Sequence, residues 1–448
     1  MYSVIEFGAI CDKSINSTQA FQAAIDACKK NDGGVVYVPY GKYMIGTLYL
    51  CNNLHFVFEP GAEIFGSLDI NDFAEREKID YPLYQDPSHS YFNRSMFVAE
   101  KCKNITFSGL GTIDMQEVWE EKDIEGIYEW NARRAAKIFA FKECDDIVLK
   151  DMTLLHSTDL AVYLAGCRRV KITNMTLDVN IDGISPDACE NVIISDCIIK
   201  SGDDGIVLKS SYTLNKIKDC ENIVITNCTV ASRCSAIKLG TETNGGFKNI
   251  SISNCAIYNT FYGALSIEST DGGNVDGITV SNISMKNVGY PFFFILSNRG
   301  RGPENTTIGS MKNIIVDNVT AIGPYEPWTS SRITHLWEEA ETTWESQVMP
   351  STITGQPEKH IENISFSNIY ITTKGGGKAE DKDIVLPEIT NMYPENYQFG
   401  ENFPTYGMYF RHVTNLNLNN IHIDTVEADE RNAFVFDDVK NMNVNNIK

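Results

Sequence analysis

The amino-acid sequence predicts an all-β fold, a single-stranded right-handed parallel β-helix with an N-terminal capping helix and long loop insertions. A short phrase recurs along most of the chain: a turn residue, an alternating apolar strand, then Asn or Asp. Cysteines keep a fixed phase to it, with Cys102, Cys144, Cys167, Cys189 and Cys220 each two residues ahead of a phrase anchor. The gaps between phrases lack the 10–15 residues of helical periodicity that a βαβ repeat would need. They hold further short strands instead, such as Cys197-Ile198-Ile199-Lys200.

Taken in order, Asn16 and Gln19 read as a capping box, and Ala20, Phe21, Ala24, Ile25 and Cys28 then line one helical face. That helix is expected to cap the open end of the solenoid. Gly33-Gly34 stops it, and Val35-Val36-Tyr37-Val38 begins the strands. The phrase anchors are Asn104, Asp146, Arg169, Asn191, Asn222, Asn249, Gly277, Asn313, Asn363, Asn415 and Asn441. Their intervals run 42, 23, 22, 31, 27, 28, 36, 50, 52 and 26 residues. Most are one turn of a coil; the long ones are one turn with an insertion, or two turns with one phrase degraded. Residues 1–448 are expected to form one domain, with the cap and first strands in 1–50 and inserted loops at 325–350 and 370–410. Asn-x-Ser/Thr triplets such as those at Asn249 and Asn363 share one phase, which marks them as stacked turns rather than glycan acceptors.

Bulk properties narrow the function. The net charge of −21 is spread along the chain, so a phosphate backbone is repelled and nucleic acid is excluded as a partner. The start at Met1 lacks a basic and apolar leader pattern, and no long uncharged apolar run follows. The expectation is a chain with no membrane partner, located in the cytoplasm, or secreted or periplasmic where a leader has been removed. Twelve cysteines without CxxC pairs read as reduced, stacked core residues rather than metal ligands. Neither a metal nor another cofactor is expected.

Residues one coil apart in sequence become neighbours, so acids at repeat spacing converge. Asn180-Ile181-Asp182-Gly183-Ile184 lies on one turn, and Ser201-Gly202-Asp203-Asp204-Gly205-Ile206 on the next. Asp182 and Asp203 are 21 residues apart, close to the 22-residue interval between the anchors at Arg169 and Asn191. Crowded carboxylates repel, which raises at least one pKa and keeps a proton available for hydrolysis. A glycosidic oxygen leaves only when protonated, while a second carboxylate activates water or attacks.

At these residues the chain resembles glycoside hydrolase family 28, the polygalacturonase and rhamnogalacturonan hydrolase family. Asn180-Ile181-Asp182 and Gly202-Asp203-Asp204 match its Asn-Thr-Asp and Gly-Asp-Asp motifs, and the likeness runs from Phe7-Gly8-Ala9 to the coils near residue 290. The resemblance implies a pectin-lyase-like solenoid and an inverting hydrolase of pectic oligosaccharides. It makes Asp203 the general acid, with Asp182 and Asp204 activating water. Two motifs depart. The family's Gly-His-Gly falls near Arg233-Cys234-Ser235, where Ser235 stands in place of His, and its Arg-Ile-Lys falls near Ser266-Ile267-Glu268-Ser269, where both cations are missing. These cations grip a galacturonate carboxylate in polygalacturonases, so Lys238 or Arg233 would have to restore the charge.

Asn180, Arg233, Lys238, Glu242, Glu268, Arg299, Trp328 and Trp337 complete the expected substrate-binding set. Glu242 and Glu268, 26 residues apart, would extend an acidic face downstream of Asp204. All five tryptophans fall in the long gaps, where apolar ring faces can stack on sugars. Such walls favour exo-action on an oligosaccharide. His335, His360 and His412 read as scattered structural residues. A β-helical polysaccharide lyase, betrayed by an unsaturated product, and a noncatalytic carbohydrate-binding β-helix remain the competing classes.

Overall fold

A computed structural model describes residues 1–119, 135–330 and 342–448. The fold is a right-handed parallel β-helix. It resolves into two compact units, Met1–Asp203 with Thr213–Lys216, and Asp204–Tyr212 with Ile217–Lys448.

In the first unit the helix spans Thr18–Lys30 and buries Ala20, Phe21, Ala24, Ile25 and Cys28, as its periodicity requires. Phe21 packs edge-on to Tyr43 at 5.6 Å and stacks on Phe56 at 6.3 Å, so the helix covers the end of the apolar interior. Its cap differs from the expected box. Ser17 is the N-cap residue, and Asn16 Oδ1 instead accepts from the Thr18 N–H at 2.9 Å, a local turn that leaves Gln19 unused. After the helix, Gly33 adopts φ 130°, where a Cβ would stand 2.5 Å from Asn53. Only glycine can turn there.

From this point coils stack in register. Strand Gly34–Val38 pairs in parallel with Leu54–Phe58, which pairs with Lys103–Gly109. Asp145–Lys150, Arg168–Thr173 and Glu190–Ser195 continue the same sheet. A second sheet runs through Thr153–Leu155, Thr176–Val179 and Ile198–Ser201. A third runs through Ser95–Glu100, Lys137–Lys142, Val162–Ala165 and Ile184–Asp187. Phe56 stacks on Phe107 at 5.0 Å and Phe97 on Phe139 at 5.2 Å, filling the interior between sheets.

The second unit repeats this scheme. Cys220–Thr226, Phe247–Ser253, Asn274–Leu296, Ser310–Ile322, Ile361–Thr373, Thr405–Thr425 and Asn432–Ile447 form one parallel series. Every long interval within a unit is one turn plus an insertion, because Lys103 faces Asp145, Lys312 faces Glu362 and Ile361 faces Val413. No degraded second turn intervenes. The second insertion is narrower than expected, since strands run to Thr373 and resume at Thr405. The first contains a hairpin, with Trp328–Ser330 antiparallel to Thr342–Trp344.

The phrase anchors turn out to share one backbone conformation. Asn104, Asp146, Arg169, Asn191, Asn222, Asn249, Asn313, Asn363, Asn415 and Asn441 all have φ between 52° and 60°, and Gly277 has φ 78°. Asn is tolerated there because its short amide bonds locally. The amides also bond between coils: Asn249 Nδ2 donates to Asn222 Oδ1 at 2.8 Å, Asn363 to Asn313 at 2.9 Å and Asn415 to Asn363 at 2.8 Å. No cysteine is in a disulfide, and Cys144, Cys167, Cys189 and Cys220 are buried as expected. Cys102 is only half-buried.

The histidines are less scattered than their sequence positions imply. His360 and His412 converge on Asp438, at 3.0 and 2.8 Å, while His335 lies outside the described residues. Among the described residues, no helix is long and apolar enough to cross a membrane.

Asn363→Ala removes one ladder amide and leaves a Cβ residue in the left-handed region, without the Asn compensation. The expected loss is about 2 kcal/mol. Asn363→Gly restores the backbone term only and should lose less. Denaturant unfolding of the two variants checks this; equal stability of Asn363→Ala and the parent would refute the ladder as a stabilising element.

Candidate active site

Strand Thr176–Val179 pairs with Ile198–Ser201 so that Val179 lies opposite Ser201, an interval of 22. The Gly202 N–H extends the pairing by donating to the Val179 carbonyl at 2.9 Å. A Cβ at Gly202 would stand 2.1 Å from the Asn180 carbonyl oxygen, so the close approach of these coils demands glycine. Asp182 and Asp203, 21 apart, are thus on adjacent coils but one position out of register, not aligned rung for rung. Asp182 is 4% exposed; Ser185 Oγ donates to its Oδ2 at 3.5 Å, and its carbonyl accepts the Ala161 N–H at 2.9 Å. Asp203 is half-buried, with its backbone carbonyl held by Ser201 Oγ at 2.7 Å. Asn180 is fully buried and its Nδ2 reaches Glu117 Oε1 at 3.4 Å.

In the second unit Asp204 is 5% exposed. Its Oδ1 accepts the Ser235 N–H at 3.0 Å, so the residue standing in place of the family's His supplies a backbone donor. Its Oδ2 faces Lys238 Nζ at 3.6 Å. The same ammonium lies 3.4 Å from Glu268 Oε1 and 3.5 Å from Glu395 Oε1. Lys238 Nζ therefore lies among three buried acidic side chains. Burial opposes its charge, yet Asp204, Glu268, Tyr393 and Glu395 hold its pKa well above the ordinary lysine range. Burial pushes the Glu268 carboxyl up to about 8; Lys238 pulls the other way, and Glu395 and Asp204 add repulsion. Burial also raises the Glu395 carboxyl, and Tyr290 donates its hydroxyl to Glu395 Oε2 at 3.2 Å.

Glu242 and Glu268 lie on adjacent coils but are not level with one another. Strand register places Leu239 opposite Ile267, so Glu268 is level with Gly240 and not with Glu242. Both carboxyls are buried. Glu242 Oε2 accepts from Lys209 at 3.3 Å and its other oxygen lies 3.9 Å from Arg299. Arg299 is a fork on Asp271, at 3.0 and 2.7 Å. Tyr393 lies under both cations, its ring centroid 5.7 Å from Lys238 Nζ and 5.6 Å from the Arg299 guanidinium. Arg233 is elsewhere, against Trp344 at 3.6 Å and Phe261 at 4.7 Å, and Trp344 in turn packs on Trp328 at 6.3 Å. Trp337 lies outside the described residues.

Tyr290, Tyr393 and Glu395 were invisible to repeat spacing because Tyr393 and Glu395 sit in the insertion between Thr373 and Thr405. The legible signal was compositional, an aromatic Tyr393-Pro394-Glu395-Asn396-Tyr397 run inside a loop. Leu386, Ile389, Phe399 and Phe403 of that insertion pack on Tyr290, Phe293, Ile295 and Tyr409, which fixes Glu395 against Lys238.

The fold is a parallel β-helix of the pectin-lyase-like kind. A sequence model of glycosyl hydrolases family 28 matches residues 81–365, and the chain belongs to that family. A probable polygalacturonase of Vitis vinifera is 28% identical over 262 residues, 55% of this chain and 53% of that protein. Polygalacturonase QRT2 of Arabidopsis thaliana is 24% identical over 47% of this chain and 46% of its own length. The match thus spans about half the length of these relatives. An exopolygalacturonase of Yersinia enterocolitica superposes with a TM-score of 0.70 at 17% identity, covering 98% of this chain and 77% of that one. One from Thermotoga maritima gives 0.66 at 18% identity, covering 83% and 86%. These structures share the fold.

Glu268 binds its proton more tightly folded, at about 8, than at its ordinary value of 4.5. The folded state therefore holds more protons than the unfolded state between those values, and stability falls as pH rises through that window. Glu268→Gln removes this contribution. Thermal unfolding midpoints measured from about pH 5 to about pH 8 should decline less in the variant; an unchanged slope would refute the assignment.

Proposed function

We propose that the protein hydrolyses O-glycosidic bonds of pectic oligosaccharides containing galacturonate or rhamnose, acting from a chain end and with inversion. Asp203 is the general acid, and Asp182 and Asp204 activate water. The observation that carries this reading is the contrast in burial: Asp203 is half-buried and able to reach a glycosidic oxygen, whereas Asp182 and Asp204 are buried. An acid must touch its leaving group, while a base must be held and partly desolvated. Membership of family 28 and the match of its aspartate motifs support the same roles. Exo-action is supported by the insertion that sets Tyr393 against Lys238 and Arg299, since a wall of this kind restricts passage of a long polymer.

The substrate is not bound as the family's two cationic motifs would bind it. Lys238 is shared among three carboxylates and Arg299 is committed to Asp271.

Asp203→Asn should lower kcat by about 10²- to 10⁴-fold on defined pectic oligosaccharides, with little change in binding. Proton NMR of the first product formed should show the inverted anomer, and EDTA should leave turnover unchanged. Retention of configuration, or full activity in Asp203→Asn, would overturn the mechanism.

A further inference from the structure

Three successive coils of the second unit bring metal-binding side chains to one corner. His360 directly precedes Ile361, which pairs with Val413, so His360 is level with His412. Arg411 pairs with Asp437 and Val413 with Val439, so His412 is level with Asp438. His412 and Asp438 share the left-handed backbone of the coil corners, with φ 53° and 47°. Register and an insertion, rather than a short motif, assemble this set.

The ring nitrogens are aimed as ligands. His360 Nε2 lies 3.0 Å and His412 Nδ1 2.8 Å from Asp438 Oδ2. One ligand atom from each of the three residues lies within 4.8 Å of the others. Ligands about 2.0–2.1 Å from a tetrahedral zinc stand about 3.4 Å apart, so an opening of about half an ångström seats the ion. The far nitrogen of each ring is held by an oxygen: His360 Nδ1 by Thr414 Oγ1 at 2.9 Å, and His412 Nε2 by Glu388 Oε1 at 3.1 Å. Such outer partners fix the tautomer and turn the near lone pair toward a metal.

The charges around the corner fit the same reading. Lys440 Nζ lies 3.3 Å from His360 Nε2 and 3.4 Å from Asp438 Oδ1. A ring nitrogen that accepts from an ammonium has no proton to donate, so Nε2 then faces Asp438 Oδ2 lone pair to lone pair. A cation between those atoms removes the conflict. The Lys440 side chain is 60% exposed and its stem is flexible, so its head group can give way to an ion. Arg411, the other cation here, is engaged by Glu388 at 3.2 Å and Asp437 at 2.9 Å.

We propose that His360 Nε2, His412 Nδ1 and an oxygen of Asp438 form a zinc site, with Glu388 and Thr414 as its outer partners and Lys440 as the group the ion displaces. Two imidazoles and one carboxylate suit zinc, whereas calcium and magnesium favour all-oxygen sets. The ion joins three coils, the last of which carries the largely exposed strand Asn432–Ile447. An ion bound only by the folded chain stabilises it, so the site acts as a staple on that strand. None of its residues takes part in the proposed hydrolysis.

The test uses the full chain without a histidine tag, stripped with EDTA, dialysed, and titrated calorimetrically with zinc chloride at about pH 7.5, where an ordinary imidazole is neutral. One equivalent should bind with a Kd of about 1 µM or tighter. Zinc at about 100 times that Kd should raise the thermal midpoint by about 2–5 °C. His360→Gln and Asp438→Asn should each weaken binding by about 100-fold or more, and Glu388→Gln by about 10-fold. Lys440→Met should bind zinc at least as tightly as the parent, because a competing cation is gone. Glu388 and Lys440 are 42% and 60% exposed, so these two variants decide the matter even where a ligand variant fails to fold. Absence of zinc binding, equal binding in the parent and the ligand variants, or weaker binding in Lys440→Met would overturn the site and leave a hydrogen-bonded imidazole–carboxylate corner. Binding and stability are read without substrate, so the result is separate from whether Asp203 catalyses hydrolysis.

Discussion

The constraint on which the structure depends is a left-handed backbone corner repeated at the same place in coil after coil. A parallel sheet stacks each residue on its register partner, so a corner that one coil adopts must be adopted by the next or the pairing fails. Asn satisfies this twice. It tolerates positive φ, and its amide is both donor and acceptor, so Asn313, Asn363 and Asn415 bond in series without leaving an unmatched group. Insertions as long as those before Asn363 and Asn415 are accommodated because they leave from elsewhere on the coil and return to the same register.

That register also decides what the acidic motifs can be. Gly202 is fixed by a carbonyl approach that excludes any side chain, which pins the backbone immediately before Asp203. Asp204 is then held by a backbone N–H from Ser235 and by Lys238. The loss of the family's His and of its Arg and Lys is thus a rearranged charge balance rather than a simple deletion. Where a cation would project from Ser266 or its neighbours, Glu268 projects instead, 3.4 Å from Lys238 of the adjoining strand. Lys238 pairs with Ser266 in register, so the exchange of sign occurs between immediate neighbours.

The legibility of the sequence follows the same division. The coil interval, the helix face, the buried cysteines and the grouping of Asp182 with Asp203 depend on local pattern plus repetition, and each was readable from spacing. A one-position offset was not, because the Asp182–Asp203 separation differs from the register interval by a single residue and intervals alone do not say which residue faces which. Glu242 failed for the same reason: 26 residues resembles a coil, but the register across Leu239 and Ile267 is 28. Glu395 and Tyr393 lie outside the periodic phrases. Their placement is set by how insertions dock, which is a tertiary outcome with no period to betray it. Asn16 and Ser17 show a smaller case, where two adjacent residues both suit a cap and local geometry chose the second.

Docking of the 374–404 insertion is consequently part of the site and not decoration around it. Lys238 without Glu395 would keep two acidic neighbours, and Glu395 without Lys238 would be a buried acid with, among the described residues, the Tyr290 hydroxyl against it. Breaking a buried ionic group by removing one member costs about 3–5 kcal/mol, because the remaining charge is stranded. The apolar contacts of Leu386, Ile389, Phe399 and Phe403 supply the opposing stabilisation that brings Glu395 into place. Hydrophobic packing on one side of the insertion and charge on the other are thereby coupled: the loop is positioned by its apolar residues, and the Glu395 it carries adds repulsion to the burial that raises the Glu268 pKa. A sequence that retained the aspartates but lost this apolar anchor would keep the catalytic letters and lose the electrostatic setting in which they operate.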